Sequence, residues 1–469
     1  MMVASHILKS LLRAAFAALL LLGGDVRAAV GDSDEASSPP ADLQRALEDA
    51  NEQLGRAVRK EGILRERVRL LENQVAGLRS ELTEQKNWRT IRELEEEVAE
   101  IRGLDLLSHV RFETLSKEKL RGILDHAFDE QYPGRALEGY AVLLHALGLI
   151  PEGMNLRSFV VSLYTEQVAG LYDEESGKLY VMDQFDLGKF LSRTILAHEI
   201  CHALQDQHYH LSDWPIKISG DDDRALAASA VAEGDAMVVM MEFMTANLTP
   251  AFLLELPSYL AMDQQSFQGS PEFFQHLLIF PYIEGMNFLT GLEATGGGVA
   301  REWPFRRIPS STEQILHPDK YLEPSDEPSE VTLPDLQADL GEGWTKLQDN
   351  VMGELAIRLF LAQHLGGDKG VAAGEGWGGD RYGVYASQDG GKWIVVWYSV
   401  WDTTKDAQEF ADGFEEFAKL KHADGDFTQD SDEGGWSCRA EDWSAFLWRS
   451  GKLVSIEMTN RRAEKRISP

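Results

Sequence analysis

The sequence predicts an α+β protein, mostly helical, with an N-terminal coiled-coil helix, a helical central region and a small C-terminal α+β region. Three observations predict it. Leu64, Val68, Leu71, Val75, Leu78 and Leu82 alternate spacings of four and three, the period of a coiled-coil seam. From about residue 110 to 296, apolar runs at helical spacing are separated by helix start and stop residues. Near the C-terminus, Lys392–Val400 and Trp443–Trp448 are short, aromatic, β-branched runs that read as strands, and Lys405–Lys419 reads as a helix between them.

The N-terminus carries a targeting pattern. Lys9 and Arg13 precede the apolar run Ala14–Leu22, and Val26 and Ala28 are small residues placed for cleavage after Ala28. Residues 1–28 are therefore expected to be a signal peptide, and the chain to be exported to the periplasm or beyond. The alternative is an uncleaved N-terminus that tethers the protein to a membrane, although the run is short for a span. Residues 29–41 are a polar linker containing Ser and Pro.

The heptad helix is expected over 42–103, with Ile91, Leu94, Val98 and Ile101 resuming the spacing after a phase break near Trp88. Two uses are open: a coiled coil that dimerises or extends the protein, or a single helix that folds its stripe back on the rest of the chain. Helices are expected at Thr114–His126, Arg135–Leu149, Ser192–Asp206 (capped by Ser192) and Arg224–Thr245. Residues 252–296 read as helix broken at Pro257, Pro271 and Pro281, and Lys178–Met182 as a strand. A Pro- and acid-rich stretch, 317–342, leads to the C-terminal region over 345–469, where Leu453–Glu457 adds strand residues. The glycine-rich run Gly374–Tyr382 lacks the Lys-Ser/Thr ending of a phosphate loop and reads as a tight turn.

Charge and cysteine count narrow the function. With 45 basic against 77 acidic residues, the net charge is −32, which excludes nucleic acid as a natural partner. Cys201 and Cys438 are too few for a disulfide scaffold; Cys201 reads as a small buried residue.

The chemistry concentrates in His198-Glu199-Ile200-Cys201-His202. Histidines four apart lie one turn above each other on one helix face, so both imidazoles can reach one ion. Catalytic zinc takes three protein ligands and keeps a position open. Glu199 is placed as the general base that takes a proton from activated water. For the third ligand, Glu233 interrupts the apolar run Ala225–Met241, and a carboxylate on such a face needs a partner. His208 is the other candidate, at metzincin spacing. Gln205 stands where that pattern needs a turning Gly, so Glu233 is preferred. Asp235 is either an acceptor that orients a zinc histidine or a helix-surface residue; Asp206 and His210 read as solvated loop residues.

Here the sequence resembles a bacterial group of exported, gluzincin-like metallopeptidases of the peptidase MA-like superfamily. The resemblance rests on Glu166–Asp173 (EQVAGLYD), His198–His208 (HEICHALQDQH), Glu233–Ala236 (EGDA) and Ser311–Pro318 (STEQILHP), and covers about 105–330. It implies a zincin-like domain over that range, helical with a small sheet beside the motif helix. It also implies His198, His202 and Glu233 as Zn2+ ligands, and Glu199 as the base. In the Ser311–Pro318 loop, His317 is a candidate oxyanion donor or, alternatively, a turn and cap residue. Tyr172 and Tyr180 are candidates for the same donor role or, alternatively, core or strand packing residues.

The expected function is hydrolysis of polypeptides by a zinc-dependent enzyme outside the cytoplasm. The competing expectation is a non-catalytic envelope scaffold, with a structural zinc and the coiled coil as its partner surface. A structural zinc would take four protein ligands and leave Glu199 without a role.

Overall fold

The computed structural model describes residues 41–151, 153–167, 170–182, 186–248, 269–430, 435–463 and 465–466. The expected signal peptide, nearly all of the linker and residues 252–268 lie outside them. Two compact units are found, residues 1–85 and 86–469.

Helix α1 (Ala41–Arg102) is continuous. In the first unit its apolar residues are exposed, among them Leu64, Val68, Leu71, Val75, Leu78 and Leu82. In the second unit the pattern changes, and Ile91, Leu94 and Val98 are fully buried. At about 1.5–3 kcal/mol for each buried side chain, this last part of α1 belongs to the core.

The second unit begins with a small sheet and helices. Strand β1 (Arg111–Leu115) is followed by helices α2 (Lys117–Gln131), α3 (Ala136–Ala146) and α4 (Leu156–Gln167). Ser116 caps α2 as its start signal implies, but Thr114 and Leu115 are strand, because Phe112 and Leu115 bury against the sheet. Strands β2 (Gly170–Asp173) and β3 (Lys178–Met182) complete the order β1-β3-β2, with β1 parallel and β2 antiparallel to β3. Strand β2 is thus an edge strand.

Helices α5 (Phe190–Tyr209), α6 (Asp222–Ala246) and α7 (Glu272–Gly296) carry and cover the motif. Helix α5 begins before the expected Ser192, which is buried within it; Lys189 takes the cap position without a side-chain bond. Asp221 caps α6 by accepting from Arg224 N, and Asp222 and Asp223 suit its N-terminal dipole. Pro281 does not break α7 but lies inside it, buried. The α6–α7 approach is set by two glycines. A Cβ on Gly234 would stand 2.2 Å from the Gly285 carbonyl carbon, and one on Gly285 would stand 2.0 Å from the Ala230 oxygen. The helices therefore meet backbone to backbone immediately after Glu233.

Beyond the short helix α8 (Thr312–Leu316), the chain forms a separate antiparallel sheet of order β4-β5-β6-β10-β9-β8-β7. Its strands are β4 (Trp344–Asn350), β5 (Trp377–Ser387), β6 (Trp393–Trp401), β7 (Asp426–Asp430), β8 (Gly435–Arg439), β9 (Ser444–Ser450) and β10 (Leu453–Thr459). Helices α9 (Gly353–Leu365), α10 (Gly367–Gly374) and α11 (Thr404–Lys421) complete this α+β region; α9 and α11 contribute Phe360, Phe410, Phe414 and Phe417 to one core with Trp377, Trp397 and Trp401. The expected turn over Gly374–Tyr382 is mostly strand β5, with a register shift between Trp377 and Gly379. Glycine permits the irregular backbone there, with Gly379 at φ 141°, and Asp380 answers the buried indoles of Trp377 and Trp397. The chain is α+β and mostly helical, as its pattern predicts.

Candidate metal centre

Helix α5 places His198 and His202 on one face, and the facing turn of α6 supplies Glu233. His198 Nε2 lies 3.0 Å from Glu233 Oε2, His202 Nε2 lies 3.2 Å from the same oxygen, and the two Nε2 atoms are 3.1 Å apart. These three residues are the group, among the described residues, whose donor atoms converge as metal ligands would. With sides of 3.0, 3.1 and 3.2 Å, the triangle's corners lie about 1.8 Å from its centre. That spacing is compatible with the three atoms holding one ion at the roughly 2.0–2.1 Å of a zinc–nitrogen bond. Two imidazoles with one carboxylate are a donor set that suits zinc chemically.

The electrostatics are those of a tightly coupled group. Burial opposes a charge on His202, but the Glu233 carboxylate overrides it and raises the ring's pKa to about 9. Burial likewise opposes ionisation of Glu233, yet the two imidazoles hold its carboxyl well below the usual range. In the metal-free protein the His202 ring therefore carries a proton that a metal ion must displace.

Glu199 stands on the sheet side of α5. The backbone N–H of Tyr172, in edge strand β2, donates to its Oε2 at 2.9 Å. Gly170 gives it room: a Cβ there would lie 3.2 Å from the Glu199 Cγ. The Tyr172 hydroxyl is turned away and donates to Asp206 at 2.8 Å, so Tyr172 serves by packing and by its backbone. Tyr180 packs with Leu115 and Leu120 rather than at the metal cluster.

Asp235 is fully buried and is not a surface residue. Its carboxylate accepts from Arg102 Nε at 2.7 Å, Arg301 Nε at 2.5 Å and Gln205 Nε2 at 2.8 Å. Gln205 also places its Oε1 2.9 Å from His202 Nδ1. An amide oxygen there requires Nδ1 to carry hydrogen, which leaves Nε2 to face the cluster. The orientation of His202 thus passes through Gln205 to Asp235, and from there to Arg102 in the last turn of α1. Sequence reasoning treated Gln205 only as a missing Gly; its four-residue spacing from the buried Cys201 was the available signal of an inward side chain. Arg102 and Arg301 carried no local signal. Tyr282 was also passed over: its ring centroid lies 6.0 Å from that of His198, from within α7.

His208 does not join the cluster. With no glycine turn, α5 continues to Tyr209, and His208 Nε2 meets the Asp105 carbonyl at 2.8 Å. The chain reverses at His210, whose positive φ of 52° ends the helix. Cys201 and Cys438 are buried free thiols, which agrees with the expectation that Cys201 is a small buried residue.

His317 is also placed elsewhere. Its Nε2 faces Glu354 Oε1 at 3.1 Å and Arg358 at 2.9 Å, groups of α9 that are not part of the metal cluster. Its motif is a brace. Thr312 N donates to Asp223 of α6, Gln314 donates to the Asp326 carbonyl, and Lys320 bridges Glu313 and Asp402. His317 stands at the N-cap position of the following turn over 318–321 without a side-chain cap bond, and its ring faces Glu354 and Arg358 instead.

Residues 343–458 match a protein family described as a domain of unknown function (DUF8575). That stretch holds the C-terminal sheet and lies outside the metal cluster. No curated protein and no solved structure matches the chain.

Proposed function

We propose that this chain is a zinc-dependent metallopeptidase of zincin-like architecture, acting on polypeptides outside the cytoplasm. The observation that carries the reading is the convergence of three ligand atoms, two imidazole nitrogens and one carboxylate oxygen, beside a carboxylate that is not one of the three. Zinc bound by His198, His202 and Glu233 would polarise a carbonyl and acidify water. Glu199 accepts the proton of the attacking water and returns it to the leaving amine. The Tyr172 N–H fixes that carboxylate in place. Edge strand β2 lies beside α5 and supports a polypeptide substrate, since sheet edges are where extended chains add, with the Tyr172 N–H already engaged by Glu199. The proposed location rests on the N-terminal pattern; no helix among the described residues is long and apolar enough to cross a membrane.

Glu199→Gln tests the chemistry. The variant should bind zinc like the parent, about one ion per chain by elemental analysis, and cleave an unfolded protein substrate at least 100-fold more slowly. Equal turnover by the two proteins would refute the role of Glu199. Absence of zinc from the parent after reconstitution would refute the metal assignment.

A further inference from the structure

The exposed stripe of α1 carries an inference independent of the proposed chemistry. The continuous helix extends the heptad register back from Leu64 to Leu43. Positions a are Leu47, Leu54, Glu61, Val68, Val75 and Leu82; positions d are Leu43, Ala50, Ala57, Leu64, Leu71 and Leu78. The Leu and Val residues of this seam are each 45–68% exposed. The register ends at Gln85, where the first compact unit ends. The buried stripe of Ile91, Leu94 and Val98 restarts two residues out of phase, roughly 200° around the helix. The seam is therefore no continuation of the stripe that the core uses, and it needs a partner of its own.

We propose that residues 43–85 pair in parallel and in register with the same segment of a second copy of this chain. Three features select this occupant and orientation. Val68 and Val75 at a, with Leu64, Leu71 and Leu78 at d, form the combination that favours two parallel strands. In that arrangement Arg67 at g faces Glu72 at e of the partner subunit, an attractive pair made twice by symmetry, while Lys60 at g faces Arg65 at e of the partner subunit with the two Glu61 carboxylates between them to offset the like charges. An antiparallel pairing with full overlap would instead set Lys60 against Arg67 twice and press the Glu61 carboxylate against a leucine.

Glu61 is the one charged residue in the seam. In the single helix it accepts from Arg65 at 2.6 Å. In the parallel pair the two Glu61 carboxylates share a layer flanked by Lys60 and Arg65. This layer lowers stability while setting register, as single polar seam residues do.

The test uses the full chain with Cys introduced at seam positions; Cys201 and Cys438 are buried and do not compete. By light scattering the parent should have the mass of two chains, and Leu71→Glu that of one, with its zinc content unchanged. Glu61→Leu should lower the concentration at which the dimer dissociates by at least tenfold. Under mild oxidation Ala57→Cys alone and Val68→Cys alone should each cross-link two chains. If neither single variant cross-links but the double variant does, the pairing is antiparallel and the proposal is wrong. A monomeric parent at all concentrations would also overturn it. Because mass and cross-linking are read without substrate, this outcome is distinguishable from failure of the enzymatic proposal.

Discussion

Replacing Gln205 by Leu removes one link between the helical core and the metal cluster without touching a ligand. In the structure its Oε1 accepts from His202 Nδ1 at 2.9 Å, while its Nε2 donates to Asp235 at 2.8 Å and to the Ala232 carbonyl at 3.0 Å. Leucine fills most of the volume, so the change is chiefly the loss of these bonds. Deleting the partner of a metal-ligating histidine typically weakens metal binding about 10- to 100-fold, or about 1.4–2.7 kcal/mol. The cost of leaving a buried donor unsatisfied, about 1–3 kcal/mol, is of the same size. Asp235 keeps Arg102 and Arg301, so the core should remain folded. Competition against a chelator of known zinc affinity, beside a thermal melt of the metal-free protein, separates the two effects. A Gln205→Leu protein that folds and binds zinc as tightly as the parent would refute the relay from Asp235 to His202.

Four further outcomes are expected from the structure. Zinc affinity should rise with pH by up to tenfold per unit until about pH 9, where His202 loses its proton, as chelator competition at several pH values would read. Because that folded-state pKa is raised above the ordinary 6.5, the stabilisation from His202 in the metal-free protein is complete below pH 6.5; it is lost as pH rises to about 9, where the melting temperature should fall. Gly234→Ala drives a methyl group into the Gly285 backbone, so denaturant unfolding should show a loss of about 1–3 kcal/mol or more, with weakened zinc binding because Glu233 is the adjacent residue. His317→Ala should retain zinc and proteolytic activity within a few-fold and destabilise by about 1–3 kcal/mol, since it deprives the buried Glu354 of a partner; a large selective loss of turnover would restore a catalytic role.

The residues that converge at the cluster were legible in the sequence because helical spacing alone sets two histidines four apart on one face. Glu233 was legible because a carboxylate inside an apolar run demands a partner, and Gln205 in place of a glycine argued against His208 before its position was known. The α+β class followed from periodicity, which depends on local backbone geometry. What periodicity does not encode is which distant groups meet. Arg102 reaches Asp235 across 133 positions of chain, and Arg301 reaches it across 66. Those pairings exist because α1, α5, α6 and the segment after α7 pack around one buried carboxylate, and a buried charge persists only where several donors answer it.

The Ser311–Pro318 motif shows the same boundary from the other side. Its residue types fit a site loop as well as a brace, and only the packed positions of Asp223, Glu354 and Asp402 distinguish the two. Sequence by itself determined the spacing of His198 and His202, the carboxylate of Glu199 beside the first of them and the heptad pattern, because each is set by the geometry of one helix. Tertiary structure decided the convergence of Glu233 on the two histidines, the Gln205 link and the place of His317, because these depend on contacts between helices far apart in the chain.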